Sequence, residues 1–448
     1  MTFVKELKKF YPEFDSANLT KEKIYKNTYP GKPFKETVIN TMASGLYALA
    51  ENFLIYESFG KNFFKSPILL REFSIKKMDS EVTGLINRIV KDFRQEETIK
   101  ENYYDKQETY VEIINHLTRN DDRSRLPEYI LKSFNFGFYF WMHRTLTLRN
   151  FLFINRNFMD DFKNNIIDKA LKAIDISKLA ELFEETDEEN ALVFLLSYYN
   201  YMADISHDNS GYFFKLKKLF EKYESRMIPN LMKIFVVSLS NICLKNITCG
   251  LDEFYTEFEN IYTDTLKNKL YTISDTNNYF NKRLFRAIIN TSVYLNKIGW
   301  AEEFLKKYIN IVDPQFKEQL MHYGNANIEF ARKNYDKALY HATKIEQKQI
   351  IYKIDTKNLI SRIYFETNSL EPLGSMLDSY KHLIKNSNLQ DKIYETSHIN
   401  FIKIIQGIIK IIHDNSYKTE LYLLKQKTER TSPINNKSWL LGKITNLE

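Results

Sequence analysis

The feature that most constrains the fold is a repeat with an offset of 35 residues in the C-terminal half of the chain. Trp300, Tyr335 and Leu370 occupy equivalent positions when the sequence is shifted against itself by this offset. Each residue follows one segment with helical periodicity and begins a second, so the predicted unit is a pair of helices. One pair cannot bury its apolar face alone, so we expect successive pairs to stack.

The clearest unit is "ANIEFARKNYDKALYHATKI", residues 326–345. Ala338 and Ala342 are four residues apart and therefore share one helix face, where small side chains allow the paired helix to approach closely. Tyr335 is expected to fill the space at the hairpin turn. This unit resembles a tetratricopeptide repeat, with the best match at Ala326, Tyr335 and Ala338.

The whole chain also resembles a broad family of uncharacterised bacterial helical proteins. The stretches "FYPEFDSANLTKEKIYKNTYPGKPF", "SMLDSYKHLIKNSNL" and "SWLLGKI" carry this likeness, which implies an α-solenoid and no particular activity. We therefore expect an all-α fold of antiparallel helical hairpins, stacked as a TPR-like α-solenoid over residues 71–448. The clearest repeats fall at about 280–385, and residues 1–70 are expected to form an N-terminal helical module.

Composition narrows the alternatives. The chain has only 12 glycines and 9 prolines in 448 residues, fewer than the turns of all-β sandwiches and Rossmann-type sheets require. The formal net charge of +7 permits an acidic partner without requiring one. Cys243 and Cys249 have no clustered Cys or His beside them, which is typical of free thiols in a reducing compartment. A cytoplasmic protein without membrane insertion is the expectation.

No motif points to catalysis, a cofactor or a metal. Glu395 and His398 have the ExxH spacing of carboxylate-bridged metal sites, but no second such pair exists. "SHD" at 206–208 contains the residue types of a catalytic triad, yet adjacent residues cannot align in one relay. The Gly-rich loops that hold phosphates are missing from the sequence. We expect a protein that is not an enzyme.

The predicted function is binding of a protein or peptide on the concave face of the solenoid, as a scaffold or adaptor. The tetratricopeptide resemblance implies that the first helix of each pair lines this face and carries a ladder of hydrogen-bond donors. Arg362 would supply a charge-assisted contact to a ligand carboxylate, or else pair with Glu329 or Glu366 on a solvated face. The candidate binding residues, found by counting back from Tyr335 and Leu370, are Tyr323, Asn327, Phe330, Asn358, Arg362 and Phe365.

Nucleic-acid binding through a basic groove is the alternative. The segment 133–158 is dense in aromatic residues and includes Arg144, Arg149 and Arg156. Aromatic rings can stack on bases while arginines contact phosphates, although the same pattern is typical of buried helices with arginines that reach water. The N-terminal module is a second candidate, as a winged-helix-like fold, but the segment 34–56 has Lys35 as its only cation.

Overall fold

The computed structural model describes residues 2–61, 65–154, 166–206, 210–272, 278–345, 350–387, 389, 392–414 and 417–447. Within these ranges the protein is all-helical, with 80% helix and no strand. The β-type contacts there are two isolated bridges, Ile99 with Met227 and Thr272 with Phe280. The prediction of an all-α fold is confirmed.

The chain divides into two compact units, and the first comprises residues 1–95 and 102–137. One apolar core in this unit joins α1, α2 and α3 through residues such as Phe3, Tyr25 and Ile39. Another core joins α4, α5, α6 and the beginning of α7 through residues such as Val82 and Ile113. The helices are α1 (Thr2–Lys8), α2 (Lys21–Thr28), α3 (Glu36–Lys61), α4 (Lys65–Ile75), α5 (Asp79–Arg94), α6 (Tyr103–Arg119) and α7 (Leu126–Ile154) up to Gly137.

The second unit comprises residues 96–101 and 138–448. In addition to the rest of α7, its described residues form α8 (Ile166–Ala173), α9 (Ile176–Thr186), α10 (Glu188–Ile205), α11 (Ser210–Tyr223), α12 (Pro229–Thr248), α13 (Phe254–Lys267), α14 (Lys282–Tyr294), α15 (Ile298–Tyr308), α16 (Pro314–Ala331), α17 (Tyr335–Thr343), α18 (Ile350–Glu366), α19 (Leu370–Asn386), α20 (Lys392–Asp414), α21 (Tyr417–Arg430) and α22 (Lys437–Thr445). From α9 to α22, nearly every helix packs against the next one in the chain, and α14 also packs against α16.

The turns of four successive hairpins share one geometry. A residue with a left-handed backbone follows the first helix: Gly250, Asn296, Lys333 or Asn368. The next amide then donates to a carbonyl five residues back, as in a Schellman cap. The four bonds are Leu251 N to Asn246 O, Lys297 N to Ser292 O, Asn334 N to Glu329 O, and Ser369 N to Tyr364 O, at 2.8–3.1 Å. The same turn geometry therefore recurs after α12, α14, α16 and α18.

The predicted phase of the repeat agrees with the helix boundaries. The helix α17 begins at Tyr335 and α19 at Leu370, while Trp300 lies in the first turn of α15. Ala338 and Ala342 are fully buried and share a core cluster with Ala326 of α16. Small residues at the contact allow α16 and α17 to approach closely, because a larger side chain would hold their backbones apart.

One described helix, α12, is long and apolar enough to cross a membrane by length and composition alone. Half of its most apolar window is buried inside the protein. It packs against α11 and α13, with Phe235, Leu239 and Cys243 in the core. Core helices of globular proteins pass the same test, so this feature is weak evidence for a membrane span.

Candidate functional site

The six candidate binding residues lie on two helices of the second unit. Tyr323, Asn327 and Phe330 are on α16, and Asn358, Arg362 and Phe365 are on α18. Tyr323, Asn327 and Asn358 are buried, whereas the other three are half-buried. The amide of Asn327 donates to the carbonyl oxygen of Tyr323, 2.9 Å away in its own helix. One N–H of the Asn327 amide is therefore engaged within α16.

An ion pair that is mostly shielded from solvent, with side chains 17% and 11% exposed, lies beside these residues. Arg286 of α14 binds Asp355 of α18 through two hydrogen bonds, one from Nη2 to Oδ1 at 2.8 Å and one from Nε to Oδ2. Burial alone would raise the pKa of Asp355, but Arg286 holds it below its usual value. The hydroxyl of Tyr394 donates to Asp355 at 3.0 Å. The hydroxyl of Tyr323 lies 3.2 Å from Asp355 and 2.8 Å from Asn290 Oδ1. The ion pair and these two tyrosines therefore connect four helices, α14, α16, α18 and α20.

His398 of α20 forms the next part of the polar interior. Its Nδ1 contacts the hydroxyl of Tyr380, and its Nε2 lies 3.3 Å from the side-chain amide of Asn435. The ring is 1% exposed, and burial lowers the pKa of His398 from 6.5 to about 4. The imidazole is therefore neutral near pH 7 and acts as a hydrogen-bonding bridge between helices.

Arg362 differs from Arg286 in having no carboxylate. Its guanidinium lies over the ring of Phe330, 4.6 Å from the centroid. Nε is shut off from solvent and has no hydrogen-bond acceptor. Among the described residues, no carboxylate lies within salt-bridge distance of this guanidinium. Burial lowers the pKa of Arg362, although nearby tyrosines and the carboxylate of Asp355 act in the opposite direction.

The two acidic residues proposed as partners of Arg362 are engaged elsewhere. Glu329 accepts hydrogen bonds from Arg332 at 3.2 Å and Asn334 at 2.7 Å. Glu366 accepts from the indole of Trp439 at 2.9 Å and from Lys443 at 2.7 Å. Among the described residues, Arg362 is thus a cation of α18 with no carboxylate within salt-bridge distance.

The C-terminal segment, residues 431–447, lies along the same side of α18. Asn436 donates to Asn358 at 2.9 Å, one helical turn before Arg362. The ring of Trp439 packs edge-on against Phe365 with centroids 5.4 Å apart, one turn after Arg362. The two contacts bracket Arg362, so the segment covers the strip that the repeat assigns to ligand binding.

The same segment also contacts helices much earlier in the chain. Ser432 donates to the carbonyl oxygen of Cys249 at 2.8 Å. Ser438 hydrogen-bonds to Asp252 and lies 3.0 Å from the hydroxyl of Tyr294. Its apolar residues are buried in a cluster with α19, α20 and α21; they are Ile434, Leu440 and Ile444. The segment is therefore held by an apolar anchor and a row of polar contacts.

A serine, a histidine and a glutamate also meet elsewhere in the second unit. His143 Nδ1 lies 2.7 Å from Ser197 Oγ, and His143 Nε2 lies 3.0 Å from Glu101. The hydroxyl of Ser197 also lies 3.2 Å from the carbonyl oxygen of Val193 in its own helix. Ser197 is also buried within α10. We interpret this group as a polar contact between helices, because a nucleophile must reach its substrate.

The structure shows the contacts of the ExxH motif and of two further histidines, His322 and His341. Glu395 binds Lys392, away from the contacts of His398, so the ExxH pair does not converge. Among the described residues, no three His, Cys, Asp or Glu side chains form a metal-binding group. His322 and His341 pair with each other through their Nδ1 atoms at 2.9 Å. The "SHD" segment lies largely outside the described residues.

The arginines considered for nucleic-acid binding have different positions. Arg144 is exposed, and Arg149 is buried with its guanidinium 4.8 Å from the ring centroid of Tyr201. Arg156 lies outside the described residues. The buried position of Arg149 is the one expected for an arginine within a packed helix, and it leaves Arg144 as the described arginine of this segment that faces solvent.

The side of α18 that carries Asn358, Arg362 and Phe365, which we name the inner strip, therefore combines a cation, an aromatic ring and a bound segment of the same chain. The sequence analysis did not identify three parts of this site: Asp355, Arg286 and residues 431–447. Their contacts join residues 69–78 positions apart, and helical periodicity carries no information about such distant pairs. Chemically, the strip can hold a helical or extended segment and place an anionic group against Arg362. Comparison of the chain with protein-family models, with curated proteins and with solved structures finds no match.

Proposed function

We propose that this protein is a non-catalytic scaffold that binds a protein or peptide on the inner face of a TPR-like α-solenoid. The helical hairpins from α12 to α19 would form its repeats, because they share one turn geometry and one order of packing. The proposal includes a cytoplasmic location, which the two free cysteines favour.

One observation carries this proposal: a peptide segment already lies on the predicted strip. Residues 431–447 contact Asn358, Phe365 and Glu366, and two of these three positions were assigned to the binding surface from the repeat alone. A surface that accommodates one segment through side-chain contacts has the dimensions and the chemistry to accommodate another. Arg362 supplies the charge that such a ligand would meet.

The test begins with native purification of the full chain and identification of co-purifying proteins by mass spectrometry. Asn327→Ala combined with Arg362→Ala should then weaken binding of the identified partner at least tenfold, which corresponds to about 1.4 kcal/mol. Arg332→Ala is the matched control, since Arg332 pairs with Glu302 and Glu329 near the hairpin turn.

Unchanged affinity in a folded double variant would place the binding surface elsewhere. Recovery of nucleic acid instead of protein, with an affinity that falls steeply with salt, would favour the alternative class of partner.

A further inference from the structure

The C-terminal segment, residues 431–447, is an incomplete match to the strip that it covers. Its contacts on either side of Arg362 are satisfied, through Asn436 and Trp439. Arg362 lies between them, its Nε has no hydrogen-bond acceptor, and no carboxylate of the described residues is within salt-bridge distance of it. The segment itself contains two lysines and no carboxylate side chain. Lys443 is compensated by Glu366, and the segment offers no anion to Arg362.

We propose that residues 431–447 form a clasp, an internal ligand that competes with an acidic peptide segment for the inner strip of α18. This inference rests on the proposed function and specifies its regulation and the chemistry of its ligand. The ligand would be an amphipathic segment with an aromatic or aliphatic residue against Phe365 and a carboxylate that pairs with Arg362.

The competition has a physical basis in the difference between the two occupants. A ligand shifts a conformational equilibrium only by the difference between its binding free energies for the two states. The clasp gains apolar burial at Ile434, Leu440 and Ile444, and a neutral or basic peptide could at best equal that gain. A carboxylate gains in addition a charge-assisted and bidentate hydrogen bond with Arg362, which the clasp cannot make.

The clasp is held on α18 and on the earlier hairpins by side chains. Its bonds to Cys249, Asp252 and Asn358 are made by side chains of the clasp, and its main chain bonds to α20 at two points, Asn435 N to Ser397 O at 3.1 Å and Pro433 O to the side-chain amide of Asn400 at 2.8 Å. Segments held by few backbone bonds are among the parts of a fold that open locally.

The first experiment uses the full chain and a fluorescent synthetic peptide with the sequence of residues 431–447 as the probe. Leu440→Asp places a charge in the buried anchor and should release the clasp. The probe should bind this variant at least tenfold more tightly than it binds the unmodified chain. Leu423→Asp is the matched control, because Leu423 lies on α21 with 57% of its surface exposed, and it should leave the affinity for the probe unchanged.

The second experiment tests the preference for a carboxylate. A probe carrying Asn436→Asp places an acid one turn from Arg362, and it should bind the Leu440→Asp chain about tenfold more tightly than the unmodified probe. Arg362→Met in the Leu440→Asp chain should abolish this difference. Equal affinity for the two probes would contradict the proposal that the ligand is acidic.

Hydrogen exchange of the unmodified chain keeps the proposal testable if Leu440→Asp does not fold. The amides of α22 should exchange at least tenfold faster than those of α18. Equal protection of the two helices, or a folded Leu440→Asp variant that does not bind the probe, would show that residues 431–447 are permanent core. Those results would leave the proposed function standing, because it is judged by the Asn327→Ala and Arg362→Ala variant with the purified partner.

Discussion

Replacement of Arg362 by methionine should stabilise the protein. The guanidinium leaves a sealed Nε–H without an acceptor, which costs about 1–3 kcal/mol. Its contact with the ring of Phe330, 4.6 Å from the centroid, returns about 0.5–2 kcal/mol. Methionine keeps an apolar stem of similar length and contributes a sulfur–aromatic contact of about 0.3–1.5 kcal/mol. Together these contributions predict that the free energy of unfolding rises by about 1 kcal/mol.

Urea unfolding followed by circular dichroism at 222 nm measures this change. The midpoint should rise without a change in slope, since the exposed surface is the same. In a thermal scan the gain corresponds to about 1–2 °C for a unit of this size.

Arg286→Met is the matched control, because Arg286 also lies on the first helix of a hairpin but forms an ion pair with Asp355. Its removal leaves Asp355 buried with its charge uncompensated, and it should destabilise the protein by about 3–5 kcal/mol. We therefore expect the two substitutions to change the free energy of unfolding in opposite directions. A loss of 1 kcal/mol or more for Arg362→Met, restored by Arg362→Lys, would show that Arg362 has a stabilising counter-ion and would remove the argument for a ligand carboxylate.

Three further changes test other parts of the structure. Lys333→Gly should raise the free energy of unfolding by about 0.5–1 kcal/mol, since Lys333 has φ +62° and glycine adopts that conformation without strain; Lys333→Ala should give no gain in the same urea titration. The pKa of His398 falls from 6.5 in the unfolded chain to about 4, so the unfolded chain binds more protons and stability is lost as pH falls from 6.5 to 4, by about 3 kcal/mol in total. His398→Gln should flatten the dependence of melting temperature on pH in that window, and an unchanged slope would show that other groups cause it. Ala338→Phe should cost about 1–3 kcal/mol through overpacking, whereas an unchanged melting temperature would mean that the site is open.

The sequence determined the helices and the phase of the repeat, because both depend on neighbours within a few residues. Tyr335 and Leu370 begin α17 and α19, as the 35-residue offset predicts. Ala338 and Ala342 share a buried face because residues four apart in a helix lie one above the other. The shared turn geometry follows equally from local backbone preferences at Gly250, Asn296 and Asn368.

Only the tertiary structure decided how the inner strip is occupied. Glu329 and Glu366 were reasonable partners for Arg362 by spacing, yet they bind Arg332 and Lys443 instead. Residues 431–447 reach Asn358 across 78 positions of sequence. Such contacts depend on which helices pack together and on which ion pairs form between them. Sequence periodicity does not reveal either, because it indicates the buried face of a helix and not the helix that packs against it.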